Sequence, residues 1–159
     1  MIRETRQDDS RAILTMLKTS GQFDERGLAH VDETLNLYLA GESEALWFTA
    51  DDGEPVGVAY CAPEPVTDGT WNLLMLWTRQ DRSGQGHGTA LVGQVERALS
   101  EQGARLLIIE TSGLPDFETA RGFYSKCGFT QEARIREFFA AGDDKIIFTK
   151  RLASNDNAA

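Results

Sequence analysis

The sequence is short of the residues that build metal centres and covalent scaffolds. It holds two cysteines, Cys61 and Cys127, and two histidines, His30 and His87, none at metal-ligand spacing. A disulfide framework and a zinc site are therefore excluded, and neither histidine sits where it would activate a cysteine nucleophile. No apolar run approaches the about 18 residues of a membrane-spanning helix, and no secretory signal is read. The chain is expected in the cytoplasm, with no membrane contact and both thiols reduced. Basic residues are also in deficit, 16 against 25 acidic ones, for a formal net charge of −9. That balance argues against a nucleic-acid partner and is compatible with a cationic substrate such as an amine. Repeats and internal linkers are absent.

What is present suits one soluble domain. The 159 residues, 41% hydrophobic and 26% charged, suffice for a core without metal or disulfide support. A first strand is read over 2–5. Asp8, Asp9 and Ser10 offer N-caps for a helix whose apolar residues are Ile13, Leu14, Met16 and Leu17. A second helix over 24–40 carries Leu28, Val31, Leu35, Leu37, Tyr38 and Leu39 at helical spacing, and Gly41 closes it. Strands follow over 45–50, 55–62 and 71–78, the first two joined by the hairpin signal Asp51-Asp52-Gly53-Glu54. A helix to about residue 102 comes next, then a near-continuous apolar strand over 105–111 of the kind buried on both sides. Pro115 suits the first turn of a helix running to Cys127, and strands over 130–140 and 145–152 finish the domain around a turn at Gly142-Asp143-Asp144. The order β-α-α-β-β-β-α-β-α-β-β predicts an α+β domain over 1–152 with one mixed sheet. Residues 153–159 have nothing to bury and are expected to fray.

The most informative stretch is Arg82-Ser83-Gly84-Gln85-Gly86-His87-Gly88-Thr89. It joins an apolar strand to a helix, and three alternating glycines permit a tight turn and close approach to a ligand. The first N–H groups of a helix lack intrahelical partners and lie at the positive end of its dipole, so the turn suits a phosphate or pyrophosphate. A P-loop is excluded because no Lys stands at the helix start. A dinucleotide fold is disfavoured, since its glycines follow the first strand rather than some 80 residues of chain. A turn whose glycines serve only strand-to-helix packing remains the alternative.

The element order, this turn, and Phe123-Tyr124-Ser125-Lys126-Cys127-Gly128-Phe129 together resemble the GNAT superfamily of acetyl-CoA-dependent N-acetyltransferases. The resemblance spans about residues 2–152. The family's Arg/Gln-x-x-Gly-x-Gly/Ala turn corresponds to residues 83–88, and its Tyr-x-x-x-Gly-Phe segment to residues 124–129. Two positions depart from the pattern. Ser83 stands where Arg or Gln is usual, with Arg82 adjacent, and Phe117 stands where Asn is frequent.

The resemblance implies acetyl-CoA as acyl donor and a primary amine of a small molecule, amino acid or peptide as acceptor, joined directly in a ternary complex. Backbone N–H groups from Gly84 to Thr89, including Gln85, Gly86, His87 and Gly88, would hold the pyrophosphate, with the Thr89 hydroxyl as a further donor. Ser83 belongs to the same cradle, Arg79 and Arg82 would add positive charge, and Lys126 is a further cofactor contact. The strand of Leu76, Trp77 and Thr78 would splay from that of residues 108–111 and pair with the pantetheine arm. Tyr124 matches the general acid at the thiol, against a structural reading as an aromatic packed beside Ala120 and Phe123. Glu110 is a candidate base, with a carboxyl raised by partial desolvation, against a structural carboxylate paired with an arginine or a water relay with no dedicated base. The acceptor wall is assigned to Glu33, Tyr38, Arg134, Arg136, Phe138 and Phe139, against a solvated outer strand face. The arginines favour an acceptor bearing a carboxylate, whereas the net charge favours a basic one. A homodimer is compatible with all of this. Two other functions stay open: a CoA or acyl-CoA sensor without turnover, and transfer of a longer acyl group, which Trp71, Trp77 and Phe123 disfavour.

Overall fold

A computed structural model describes residues 1–153. Its elements are β1 (Ile2–Glu4), α1 (Ser10–Thr19), α2 (Glu25–Leu39), β2 (Leu46–Asp51), β3 (Pro55–Pro63), β4 (Thr70–Thr78), α3 (His87–Glu101), β5 (Leu106–Ser112), α4 (Glu118–Lys126), β6 (Thr130–Ala140) and β7 (Asp143–Arg151). Short 3-10 turns precede α1, α3 and α4. The α+β order read from the sequence is therefore observed, in a mixed seven-stranded sheet ordered β1-β2-β3-β4-β5-β7-β6. β4 and β5 run parallel, while β1–β2, β2–β3, β5–β7 and β6–β7 are antiparallel. Among the described residues no helix is long and apolar enough to cross a membrane. Of the tail expected over 153–159, residues 154–159 lie outside the described residues.

The chain divides into two units. The first comprises Met1–Ala62 and Met75–Val95. Ile13, Met16 and Leu17 recur at helical spacing on α1, Val31 and Leu35 do so on α2, and these join Trp47, Val58 and Met75 in one buried cluster. Each such side chain contributes roughly 1.5–3 kcal/mol by leaving water. Trp47 stacks on Tyr60 with ring centroids 4.4 Å apart. α2 starts with a side-chain cap, the Asp24 carboxylate accepting from the Gly27 N–H at 2.7 Å. α1 does not. The Asp9 carboxylate accepts from the Arg3 guanidinium at 2.7 and 2.8 Å and from the Arg6 N–H at 2.8 Å, and makes no cap bond to α1. Two charge-assisted bonds to a guanidinium outweigh one cap bond to an amide.

The second unit comprises Pro63–Leu74 and the chain from Glu96. The parallel ladder joins Thr70 to Leu106, Trp71 to Leu107 and Asn72 to Ile108, and stops there, short of Leu73 and Ile109. β5 is not buried on both sides. Leu107 and Ile109 are buried, Leu106 and Ile108 are half-buried and Glu110 is exposed, the alternation of a strand covered more fully on one face. Pro115 starts a 3-10 turn, Pro115–Phe117, and α4 follows it. β6 forms an edge of the sheet and every residue along it is exposed. Its ladder with β7 slips between Ile135 and Ala140, and within that bulge Glu137 adopts a left-handed φ of 52°.

Candidate active site

In the first unit, β4 runs through the 3-10 turn Gln80–Arg82 into the glycine stretch and then α3. Gly84 and Gly86 have φ of 75° and 84°, the left-handed region that side chains resist. A Cβ at either position would meet nothing within 4 Å. Conformation, not close packing, is thus what requires glycine there. Gly57 is the opposite case, since a Cβ would lie 3.1 Å from the Trp77 carbonyl oxygen. The Ala90 N–H donates to the Gly86 carbonyl at 3.0 Å, so the N–H groups of His87, Gly88 and Thr89 precede the helical ladder. Those of Gly84, Gln85 and Gly86 have no partner among the described residues. Unsatisfied donors on an exposed left-handed turn, backed by the dipole of α3, fit a pyrophosphate. The side chains of Ser83 and Thr89 are exposed along the same stretch, and the His87 imidazole Nε2 is buried without a partner among the described residues.

The two arginines beside the turn are already engaged. Arg79 contacts Glu54 at 2.8 Å and Asp81 at 2.6 Å, and Arg82 contacts Asp52 at 2.6 Å. The cause is the β2–β3 hairpin, drawn alongside because the Arg79 N–H donates to the Val56 carbonyl at 2.8 Å. The acids of the hairpin turn therefore neutralise the cations that the sequence alone offers to a cofactor. Leu76, Trp77 and Thr78 are half-buried, with Trp77 edge-on to Phe23 at 5.8 Å. Tyr38 sits at the rim of the core, 6.5 Å from the Trp47 ring, and burial raises its hydroxyl above the usual value. Glu33 is exposed. A groove of about 560 Å³ between Arg11 and Lys18 of α1 and Asp32 of α2 is lined by neither Glu33 nor Tyr38.

In the second unit, the Tyr124 ring lies 5.7 Å from Phe123, 6.3 Å from Phe129 and 5.7 Å from Phe148. Its hydroxyl has no partner among the described residues. Burial, and to a lesser degree Cys127, raises its pKa, which keeps the phenol protonated. Both cysteines are poor nucleophiles, because burial lifts the Cys61 thiol to about 12 and also raises that of Cys127. Glu110 has a partner, but a lysine instead of an arginine: its Oε2 lies 3.0 Å from Lys145 Nζ. The Lys145 ammonium also lies 3.7 Å from the centroid of the Phe138 ring. Lys145 thereby brings Glu110 and Phe138 together. It goes unread in the sequence, where its one signal is a lone cation opening the apolar run Ile146-Ile147-Phe148. Arg134 contacts Asp144 at 2.7 Å, while Arg136, Phe139 and Lys126 are exposed.

A family model described as the acetyltransferase (GNAT) family matches residues 11–129. No match was found among curated protein sequences. Among solved structures, a protein assigned to the GNAT acetyltransferases from Desulfovibrio desulfuricans is similar with a TM-score of 0.88 and 28% identity, over 96% of this chain and 99% of that one. An aminoglycoside 6'-N-acetyltransferase complexed with coenzyme A is similar at a TM-score of 0.78 and 19% identity, over 98% of each chain. The ribosomal-protein-S18-alanine N-acetyltransferase from Escherichia coli is similar at 0.76 and 19% identity, over 100% of this chain and 98% of that one.

Proposed function

Because this chain belongs to the GNAT acetyltransferase family, we propose that it is an N-acetyltransferase that moves an acetyl group from acetyl-CoA to a primary amine by direct transfer. The acceptor is the amine of a small molecule, amino acid or peptide. The reading rests above all on the exposed turn at residues 84–89, whose N–H groups are unpartnered and whose left-handed glycines face open space.

Acetyl-CoA supplies the activated thioester, and the residues of the chain orient it and move protons. The N–H groups of Gly84, Gln85, Gly86, His87, Gly88 and Thr89 hold the pyrophosphate, assisted by the hydroxyls of Ser83 and Thr89. Leu76, Trp77 and Thr78 hold the pantetheine arm, and Lys126 adds positive charge. Arg82 adds charge only by exchanging Asp52 for a phosphate, because the two contacts compete for one guanidinium. Tyr124 donates a proton to the departing sulfur. Its raised pKa and unpartnered hydroxyl suit that task. Glu110 accepts a proton from the amine, directly or through water. Glu33, Tyr38, Arg134, Arg136 and Phe138 contact the acceptor.

The test is calorimetric titration of acetyl-CoA into wild type and Gly86→Trp, with release of free CoA followed against a panel of amines. Binding abolished by the variant, together with turnover of at least one amine, is the expected result. Binding without turnover on any amine would replace this reading with a CoA sensor. No binding at all would remove its basis.

A further inference from the structure

We infer that Lys145 is a positioning residue for the acetyl transfer proposed above, holding the Glu110 carboxylate and the Phe138 ring in a fixed relation. The inference rests on that function and adds a residue to it.

Lys145 stands opposite Ser112 on β5 and opposite Ile135 on β6. It is only 8% exposed, although an ammonium is among the costliest groups to bury. The burial is compensated by two contacts. Its Nζ is 3.0 Å from Glu110 Oε2, and it lies over the face of Phe138 at 3.7 Å, with the Phe139 ring at 6.0 Å. The two phenyl rings meet edge to face at 5.1 Å and are 52% and 48% exposed. One cation thus ties a carboxylate on β5 to an exposed aromatic pair on the edge strand.

The neighbouring contacts hold the rest of this geometry. Phe138 lies in the β6 bulge between Ile135 and Ala140. Asp144 accepts from the Glu137 N–H at 2.9 Å and pairs with Arg134 at 2.7 Å, and the Glu137 carboxylate accepts from the Gly142 N–H at 3.0 Å. The bulge backbone is therefore anchored independently of Lys145, which leaves the ammonium to orient the ring and the carboxylate. Lys145 occupies Oε2 of Glu110, whereas Oε1 has no partner among the described residues. The free oxygen is then the one available to an acceptor amine.

The test is a double-mutant cycle in steady-state kinetics on the intact protein, using an amine that wild type acetylates. Lys145→Met should lower kcat by up to about a hundredfold, since misplacing a reacting group by about 1 Å costs on that order. The KM for acetyl-CoA should stay unchanged. Lys145→Arg keeps a cation able to pair with the carboxylate and face the ring, and should recover most of the loss. On a Glu110→Gln background, Lys145→Met should lower kcat no further. Melting curves of each variant confirm that the compared proteins are folded. The inference fails if the two losses multiply, or if Lys145→Arg is as impaired as Lys145→Met. It also fails, with the function intact, if Glu110→Gln turns over at the wild-type rate. If no amine is acetylated at all, the function fails and takes the role of Lys145 with it.

Discussion

One added methyl group should act in opposite directions at two glycines seven residues apart. Gly86 has a φ of 84°, and Gly93 lies within α3 and outside the left-handed set. A Cβ at either would meet nothing within 4 Å, so sterics from neighbours do not separate them. At Gly86 the cost is conformational, roughly 1–2 kcal/mol for placing an L side chain in the left-handed region. At Gly93 an alanine gains about 0.8–1 kcal/mol of helix propensity. The two variants should therefore differ in stability by about 2–3 kcal/mol. For a chain of this size that is on the order of 4–12 °C in melting temperature, with Gly86→Ala below wild type and Gly93→Ala above it. Where the variant turn relaxes its strain by leaving a φ of 84°, its N–H groups no longer converge. Acetyl-CoA affinity should then fall by about 5–30-fold in Gly86→Ala, the equivalent of about 1–2 kcal/mol. In Gly93→Ala it should be unchanged. Melting curves with and without acetyl-CoA, paired with calorimetry, read both quantities. The reasoning is refuted if both variants shift stability in the same direction, or if Gly86→Ala binds acetyl-CoA as wild type does.

Two further outcomes are expected. Asp9→Asn removes the charge that pairs with Arg3, and should destabilise the protein by about 3–5 kcal/mol at neutral pH, as breaking a buried pair does. Burial pushes the Asp9 carboxyl up, but bonds from Arg3 and the Arg6 N–H outweigh it, and the net shift is downward. Its contribution is therefore fully present above the unfolded pKa of about 3.9 and is lost as pH falls through the lower folded value. In urea melts from pH 7 to pH 3, the gap between wild type and Asp9→Asn should hold to about pH 5 and narrow below about pH 4; a gap that widens on acidification would contradict the assignment. Tyr124→Phe keeps the ring among Phe123, Phe129 and Phe148 while removing an unpartnered hydroxyl. Stability should change by less than about 1 kcal/mol, and kcat should fall by about 10²- to 10⁴-fold with acetyl-CoA affinity retained. A variant that turns over at the wild-type rate would return Tyr124 to a packing role.

Local patterns carried most of the architecture. The 3.6-residue spacing of Ile13, Met16 and Leu17 and the hairpin signal around Gly53 each depend on neighbours within a few positions. The glycine turn was legible for the same reason: a left-handed backbone leading into a helix is written in consecutive residues, and so are its unpaired N–H groups. The family resemblance rested on two such local segments placed in order.

Partners were not legible, because charge pairing is decided by tertiary approach. Arg79 and Arg82 look like free cations beside a phosphate site until the β2–β3 hairpin brings Glu54 and Asp52 against them. Asp9 reads as a helix cap until Arg3 arrives with a bidentate contact. Glu110 reads as a base or the partner of an arginine, and β7 supplies a lysine from 35 residues further along the chain (145 − 110). The sequence by itself determined the elements, their order and the phosphate-suited turn, since backbone conformation answers to side chains a few residues away. Only the tertiary structure decided which charges neutralise one another and that Lys145 joins Glu110 to Phe138. Those contacts form between residues whose separation along the chain carries no information about their distance in space.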